Sequence, residues 1–98
     1  MKGKFHCRVN EGLHIKRSSG TIDIIVRGIE VNGGNKAAAL EFRGNTKCGW
    51  IYLSRYDDLW ELANRIRIGV GCEKTSRDKV SLHYDLSPDC YAEKRTYE

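Results

Sequence analysis

The chain has almost no proline and no closely spaced cysteines. Pro88 is its one proline, so nearly every residue can donate a backbone N–H to a helix or sheet. The four cysteines, Cys7, Cys48, Cys72 and Cys90, stand far apart, which excludes the paired spacing of a zinc finger or ribbon. No apolar run is long enough to cross a bilayer as a helix. The charged start, Met1-Lys2-Gly3-Lys4-Phe5-His6-Cys7-Arg8, leads into no apolar signal core, so a cytoplasmic protein with reduced thiols is expected. No Gly-x-Ser-x-Gly elbow is present. His6 and Cys7 are neighbours on a predicted strand and so point to opposite faces. Gly69-Val70-Gly71 follows a predicted helix instead of opening one, which removes the phosphate-binding reading of that pair. The expectation is therefore a non-enzymatic chain with no cofactor and no metal site.

What remains is an ordinary globular composition. Ninety-eight residues, 40% hydrophobic and 31% charged, suffice for one modest core. The net charge is +4 and unevenly placed. Residues 1–50 carry nine Lys/Arg against four acids, whereas residues 51–98 carry eight against nine. A basic half gives mild support to an anionic partner.

Alternating patterns mark the strands. Phe5, Cys7 and Val9 alternate with His6 and Arg8, and Leu13-His14-Ile15 adds a short piece. Thr21–Arg27 is β-branched, and Ile29 and Val31 extend it past Gly28 through a bulge. Asn32-Gly33-Gly34-Asn35 supplies a hairpin turn. The return strand, 36–43, places Ala38, Leu40 and Phe42 on one face and Ala37, Ala39, Glu41 and Arg43 on the other. Gly44-Asn45-Thr46-Lys47 is a turn. Beyond it, Ile51 and Leu53 face the core while Trp50 and Tyr52 face out.

Residues 55–67 carry helix signals. Ser54 and Asp57 match a capping box. Tyr56, Leu59, Trp60, Leu62, Ala63 and Ile66 form a stripe at helical spacing, and Gly69 and Gly71 follow as stops. Tyr56, Leu59, Trp60 and Ala63 then become the core or dimer face of that helix. Val80, Leu82, Tyr84 and Leu86 form a further strand that ends at Pro88. The expected fold class is α+β: a small antiparallel sheet of about four to five strands packed on one helix. One domain spans 1–88, and 89–98 is a polar tail that frays.

The outward face of the hairpin and third strand combines Trp50 and Tyr52 with Arg27 and Arg43. Lys36, Lys47, Lys16 and Arg17 lie at strand ends and loops around it. Aromatics that stack on bases, beside cations that hold phosphates, make a platform for single-stranded nucleic acid. The same residue types are hot spots at protein interfaces. The alternative is a small inhibitor or adaptor, of the kind phages and plasmids encode, that binds a host or defence protein complex.

Residues 21–68 resemble the positive-cofactor-four family of transcriptional coactivators. Gly49-Trp50-Ile51-Tyr52-Leu53-Ser54 followed by Trp60, Leu62 and Ile66 is similar to that family's strand leading into its helix. The resemblance implies a homodimer packed partly through the helix that carries Trp60, with single-stranded DNA across the sheet.

Overall fold

The computed structural model describes residues 1–44, 47–71 and 73–98. Asn45, Thr46 and Cys72 lie outside the described residues, and with them the centre of the expected 44–47 turn and one of the four cysteines. Among the described residues the chain forms nine strands and no helix: β1 (Lys2–Cys7), β2 (Glu11–Arg17), β3 (Gly20–Asn32), β4 (Asn35–Gly44), β5 (Cys48–Ser54), β6 (Trp60–Ala63), β7 (Ile66–Val70), β8 (Val80–Leu86) and β9 (Tyr91–Thr96). None of these elements is a helix long and apolar enough to cross a membrane.

The strands make two antiparallel sheets, β5-β4-β3-β2-β9 and β1-β8-β7-β6. Each sheet turns one row of apolar side chains toward the other. Leu13, Ile15, Ile22, Ile24, Val26, Ala38, Leu40 and Leu53 come from the larger sheet. Cys7, Leu62, Ile66, Ile68, Val70, Val80, Leu82 and Leu86 come from the smaller one. These are alternate positions along each strand, the period-two pattern of a two-sheet sandwich.

The β3–β4 hairpin turns through Gly33 (φ 60°) and Gly34 (φ 87°), the left-handed pair that a two-residue hairpin turn requires. Its register shifts between Val26 and Gly28, which is the expected bulge. Gly12 permits a close approach: a Cβ there would stand 1.9 Å from the Ile24 carbonyl oxygen.

The α+β expectation is overturned between 55 and 67, and the helical stripe has two alternative readings. Trp60-Glu61-Leu62-Ala63 and Ile66-Arg67-Ile68-Gly69-Val70 also alternate, and Asn64-Arg65 closes them as a hairpin with Arg65 left-handed (φ 59°). The opposite sheet already offers an apolar face for β6 and β7 to cover, and burial there outweighs helical propensity. The capping-box contacts nevertheless form. The Ser54 N–H donates to Asp57 Oδ2 (2.7 Å) and the Tyr56 N–H to Ser54 Oγ (3.3 Å), but they close a turn. Gly69 and Gly71, expected as helix stops, instead make room on the outside of the smaller sheet. Leu59 covers Gly69, and the Glu73–His83 pair covers Gly71.

The tail is ordered as well. β9 pairs with β2 from Glu11↔Thr96 to Lys16↔Tyr91. Tyr97 then folds back, its N–H donating to the Asn10 carbonyl (2.6 Å) and its hydroxyl to Asp23 Oδ1 (2.5 Å). The domain therefore continues through residues 89–98.

Candidate interaction surface

The outward face of the larger sheet assembles from the strand registers. Trp50 of β5 stands opposite Glu41 of β4, which stands opposite Ile25 of β3. Tyr52 stands opposite Ala39, and Cys48 opposite Arg43. Trp50 and Tyr52 are 65% and 56% exposed, so the two aromatics share one open face. Ile25 shares that face yet is fully buried, because the chain end at Tyr97 and Glu98 folds over its part of the sheet. The open area is the β4–β5 side.

Small residues on β4 have a local explanation. The Tyr52 hydroxyl donates to Glu30 Oε2 of β3 (2.5 Å), so the ring of a β5 residue reaches across β4 over its alanines. That bond to a carboxylate raises the phenol above its ordinary pKa and keeps the hydroxyl protonated.

The cations of this face are engaged. Glu41 accepts from Arg27 Nε (2.8 Å) and from Arg43 Nε (2.9 Å). The Arg43 bond, then the Arg27 bond, holds the Glu41 carboxyl below its ordinary range. Arg27 also donates to Asn10 Oδ1 (2.7 Å) and to the Glu98 carbonyl oxygen (3.1 Å). Arg95 pairs with Glu93, and His14 lies 2.7 Å from Asp23. The outward positions thus set Lys16, Arg27, Arg43 and Arg95 against Asp23, Glu30, Glu41 and Glu93, an electrically balanced face.

The other expected contact residues lie elsewhere. Lys36 faces the sheet interior's end, where its ammonium donates to Thr75 O (3.2 Å), Ser76 O (2.5 Å), Lys79 O (2.7 Å) and the Thr75 hydroxyl. It anchors the 73–79 loop. Arg17 and Lys47 line a cleft at the opposite end of the sandwich, while Lys16 faces out beside Tyr91. Tyr56 is 68% exposed in the turn after β5, with its hydroxyl on Asn35 Oδ1 (2.8 Å). Trp60 packs on Phe42 with ring centroids 5.7 Å apart. Ala63 ends β6 at the Arg17 cleft.

A second basic group was not legible in the sequence. Arg55, Lys74 and Arg77 line one cleft of about 460 Å³ that Lys36 and Glu73 also border, with the Arg55 guanidinium 4.9 Å above the Tyr56 ring. Lys74 and Arg77 sit in a charged loop with no periodicity, so only the tertiary fold brings them to the end of β5. Nearby, on the outside of the smaller sheet, Glu73 lies between His83 Nε2 (2.8 Å) and Lys4 Nζ (3.3 Å). Its own backbone N–H and then His83 lower its carboxyl to about 2. Among the described residues, no three His, Cys, Asp or Glu side chains converge as a metal site would need.

The four sheet edges differ in protection. β1 carries Lys2 and Lys4, and β9 carries Glu93, Lys94 and Arg95. β6 is four residues long, contains Glu61 and is interrupted by a bulge. These are the usual devices against edge-to-edge pairing. β5, Cys-Gly-Trp-Ile-Tyr-Leu-Ser, has no charge, no proline and an uninterrupted register with β4. Its outer edge is an unguarded pairing surface, flanked by Trp50 and Tyr52.

No family model, curated protein or solved structure matches this chain. The helix implied by the positive-cofactor-four resemblance is a β hairpin here, so a dimer packed through that helix is not available to this fold.

Proposed function

We propose that this chain is a non-catalytic protein-binding module, an adaptor or inhibitor, that takes an extended segment of a partner protein onto the edge of β5. The observation that carries this reading is the edge of β5, the one edge without a guarding charge, proline or bulge among the described residues, bordered by two exposed aromatics on a charge-balanced face. Strand addition supplies affinity through main-chain hydrogen bonds, and pockets beside the edge supply specificity. Trp50 and Tyr52 are the anchors, and the Glu41 clamp holds Arg43 beside them as a polar rim. A cytoplasmic setting belongs to this reading, supported by the free thiols of Cys7, Cys48 and Cys90.

The test is selection of short peptides from a displayed library, followed by amide NMR titration of the chosen sequences. Extended peptides should perturb residues 48–54, and Trp50→Lys should weaken them by about 30-fold, the effect of losing one hot spot. Perturbations confined to other strands, or no enrichment at all, would refute strand addition at β5.

A second reading, a single-stranded nucleic-acid-binding module, is favoured by the Arg55–Lys74–Arg77 cleft at the end of the aromatic strand. In this reading Tyr56, Tyr52 and Trp50 stack on bases while those three cations hold phosphates, in place of Lys36 and the clamped arginines. Tryptophan fluorescence during titration with an oligothymidylate separates the two. Saturable quenching that weakens with salt and is lost in Arg77→Gln supports nucleic acid, whereas a flat trace at low salt removes it.

A further inference from the structure

We infer that the cleft at the other end of the sandwich binds a small amphipathic organic anion, with Arg17 receiving the anionic head. This site lies apart from the β5 edge and does not depend on the reading of that edge.

The cleft is about 440 Å³, within the range of small-molecule sites. It opens where the β2–β3 turn, the end of β4, Lys47 and the β6–β7 turn meet. Ile22, Phe42, Leu62 and Ala63 provide an apolar floor, and Arg17 and Lys47 provide positive charge. Arg17 occupies the inward phase of β2, after Leu13 and Ile15, so its side chain enters the end of the core region.

The second observation concerns the guanidinium itself. Arg17 Nε is buried, and no protein acceptor reaches its N–H. Arginine stays charged at any physiological pH, so the group cannot escape this cost by losing its proton. Arg17 as a whole is half-buried, so the unmet cost falls on the Nε–H, and a buried donor without an acceptor is unfavourable. Asp89 feels the charge of Arg17, but the Ser87 hydroxyl, 2.5 Å away, is what chiefly holds its carboxylate. An anionic oxygen on a ligand answers the unmet donor, and the apolar floor selects a hydrophobic body behind that head. Carboxylate, sulfonate and phosphate monoester heads share this chemistry.

The test uses the full chain with two dyes of similar shape. One is 8-anilinonaphthalene-1-sulfonate, and the other is its uncharged relative N-phenyl-1-naphthylamine. The sulfonate dye should bind one to one with enhanced fluorescence and raise the melting temperature, since binding to the native state alone stabilises it. The neutral dye should bind at least tenfold more weakly. Arg17→Gln should weaken the sulfonate dye at least tenfold, while Lys2→Gln, at the exposed start of β1, should leave it unchanged. If Arg17→Gln alters the near-ultraviolet circular dichroism of the fold, the exposed Lys47→Gln substitution carries the test, with a loss of at least threefold expected. Equal affinity for the two dyes, non-saturable binding, or indifference to both substitutions would overturn the assignment.

Discussion

Replacing Lys36 with methionine separates a structural ammonium from a ligand-binding one. The substitution keeps most of the aliphatic stem and removes the charge and three donors. In the fold those donors serve three residues of the 73–79 loop, at 2.5–3.2 Å for Ser76 O, Lys79 O and Thr75 O. A hydrogen bond from a charged group contributes a net of about 1.5–3 kcal/mol. The acceptors share one cation and lie partly in reach of water, so their contributions do not add, and about 2–3 kcal/mol for the whole set is reasonable. That energy resists opening of the loop, and 2–3 kcal/mol corresponds to a change of about 30- to 160-fold in the open population. The loop supplies its own assay, because Lys74, Arg77 and Lys79 are trypsin sites. When opening is fast relative to cleavage, the cutting rate follows the open population. Mass spectrometry of limited digests should show cleavage after these three residues rising by that factor in Lys36→Met, while cleavage after Arg95 in β9 changes far less. Loop cleavage within threefold of wild type would refute the anchoring role and return Lys36 to the pool of cations available for phosphates.

Three further outcomes follow from the packing. Gly12→Ala should cost about 3 kcal/mol or more in urea unfolding, since its Cβ meets the backbone of Ile24 and Ile25, whereas Gly28→Ala, whose nearest neighbour is the Ala39 Cβ at 3.6 Å, should stay within about 1 kcal/mol. Tyr97→Phe removes the hydroxyl that donates to Asp23 Oδ1 (2.5 Å) and the Leu13 carbonyl (3.2 Å); it should cost about 1–2 kcal/mol and speed hydrogen exchange in β9 first. Glu73, with its carboxyl lowered to about 2, stabilises the fold fully above the ordinary carboxylate range near 4.3, and that contribution is lost as pH falls toward 2. Its side chain is 29% exposed, so about 1 kcal/mol is expected after solvent screening, and Glu73→Gln should flatten the stability profile between pH 5 and 2.

Much of the larger sheet was legible because its strands are amphipathic and its turns carry glycine. The Asn32–Asn35 turn, the bulge at Gly28 and the outward phase of Trp50 and Tyr52 all follow from period-two alternation. Residues 55–67 were not legible because their apolar positions satisfy two periods at once. Leu59, Trp60, Leu62, Ala63 and Ile66 make a helical stripe, yet Trp60, Leu62, Ile66, Ile68 and Val70 make a strand pair. The choice between them rests on an opposing sheet that no local window contains. The Ser54–Asp57 contacts form in either case, since a capping box and this turn share the same backbone geometry. The charge pattern was misleading in the same way. Arg43 meets Glu41 along β4 itself, but Arg27 joins them only once β3 and β4 are in register, and Lys36 meets its acceptors only when the 73–79 loop crosses the end of the sheet.

The topology also dictates how the chain must come together. β1 pairs with β8, and the outer edge of β2 with β9, so β1 and that free edge wait for partners roughly eighty residues away, as in Lys4↔His83 and Glu11↔Thr96, although β2 has β3 beside it from the start. Closing contacts of such long range is slow, typically milliseconds to seconds for all-β domains. The β3–β4–β5 meander needs only short connections and can assemble early, which leaves its uncharged outer strand in contact with solvent and other chains throughout that interval. Recovery of folded protein from synthesis is therefore governed by the crowding of nascent chains more than by the stability of the finished sandwich. Lower expression temperature and lower chain concentration should raise the yield even where the melting temperature is unchanged.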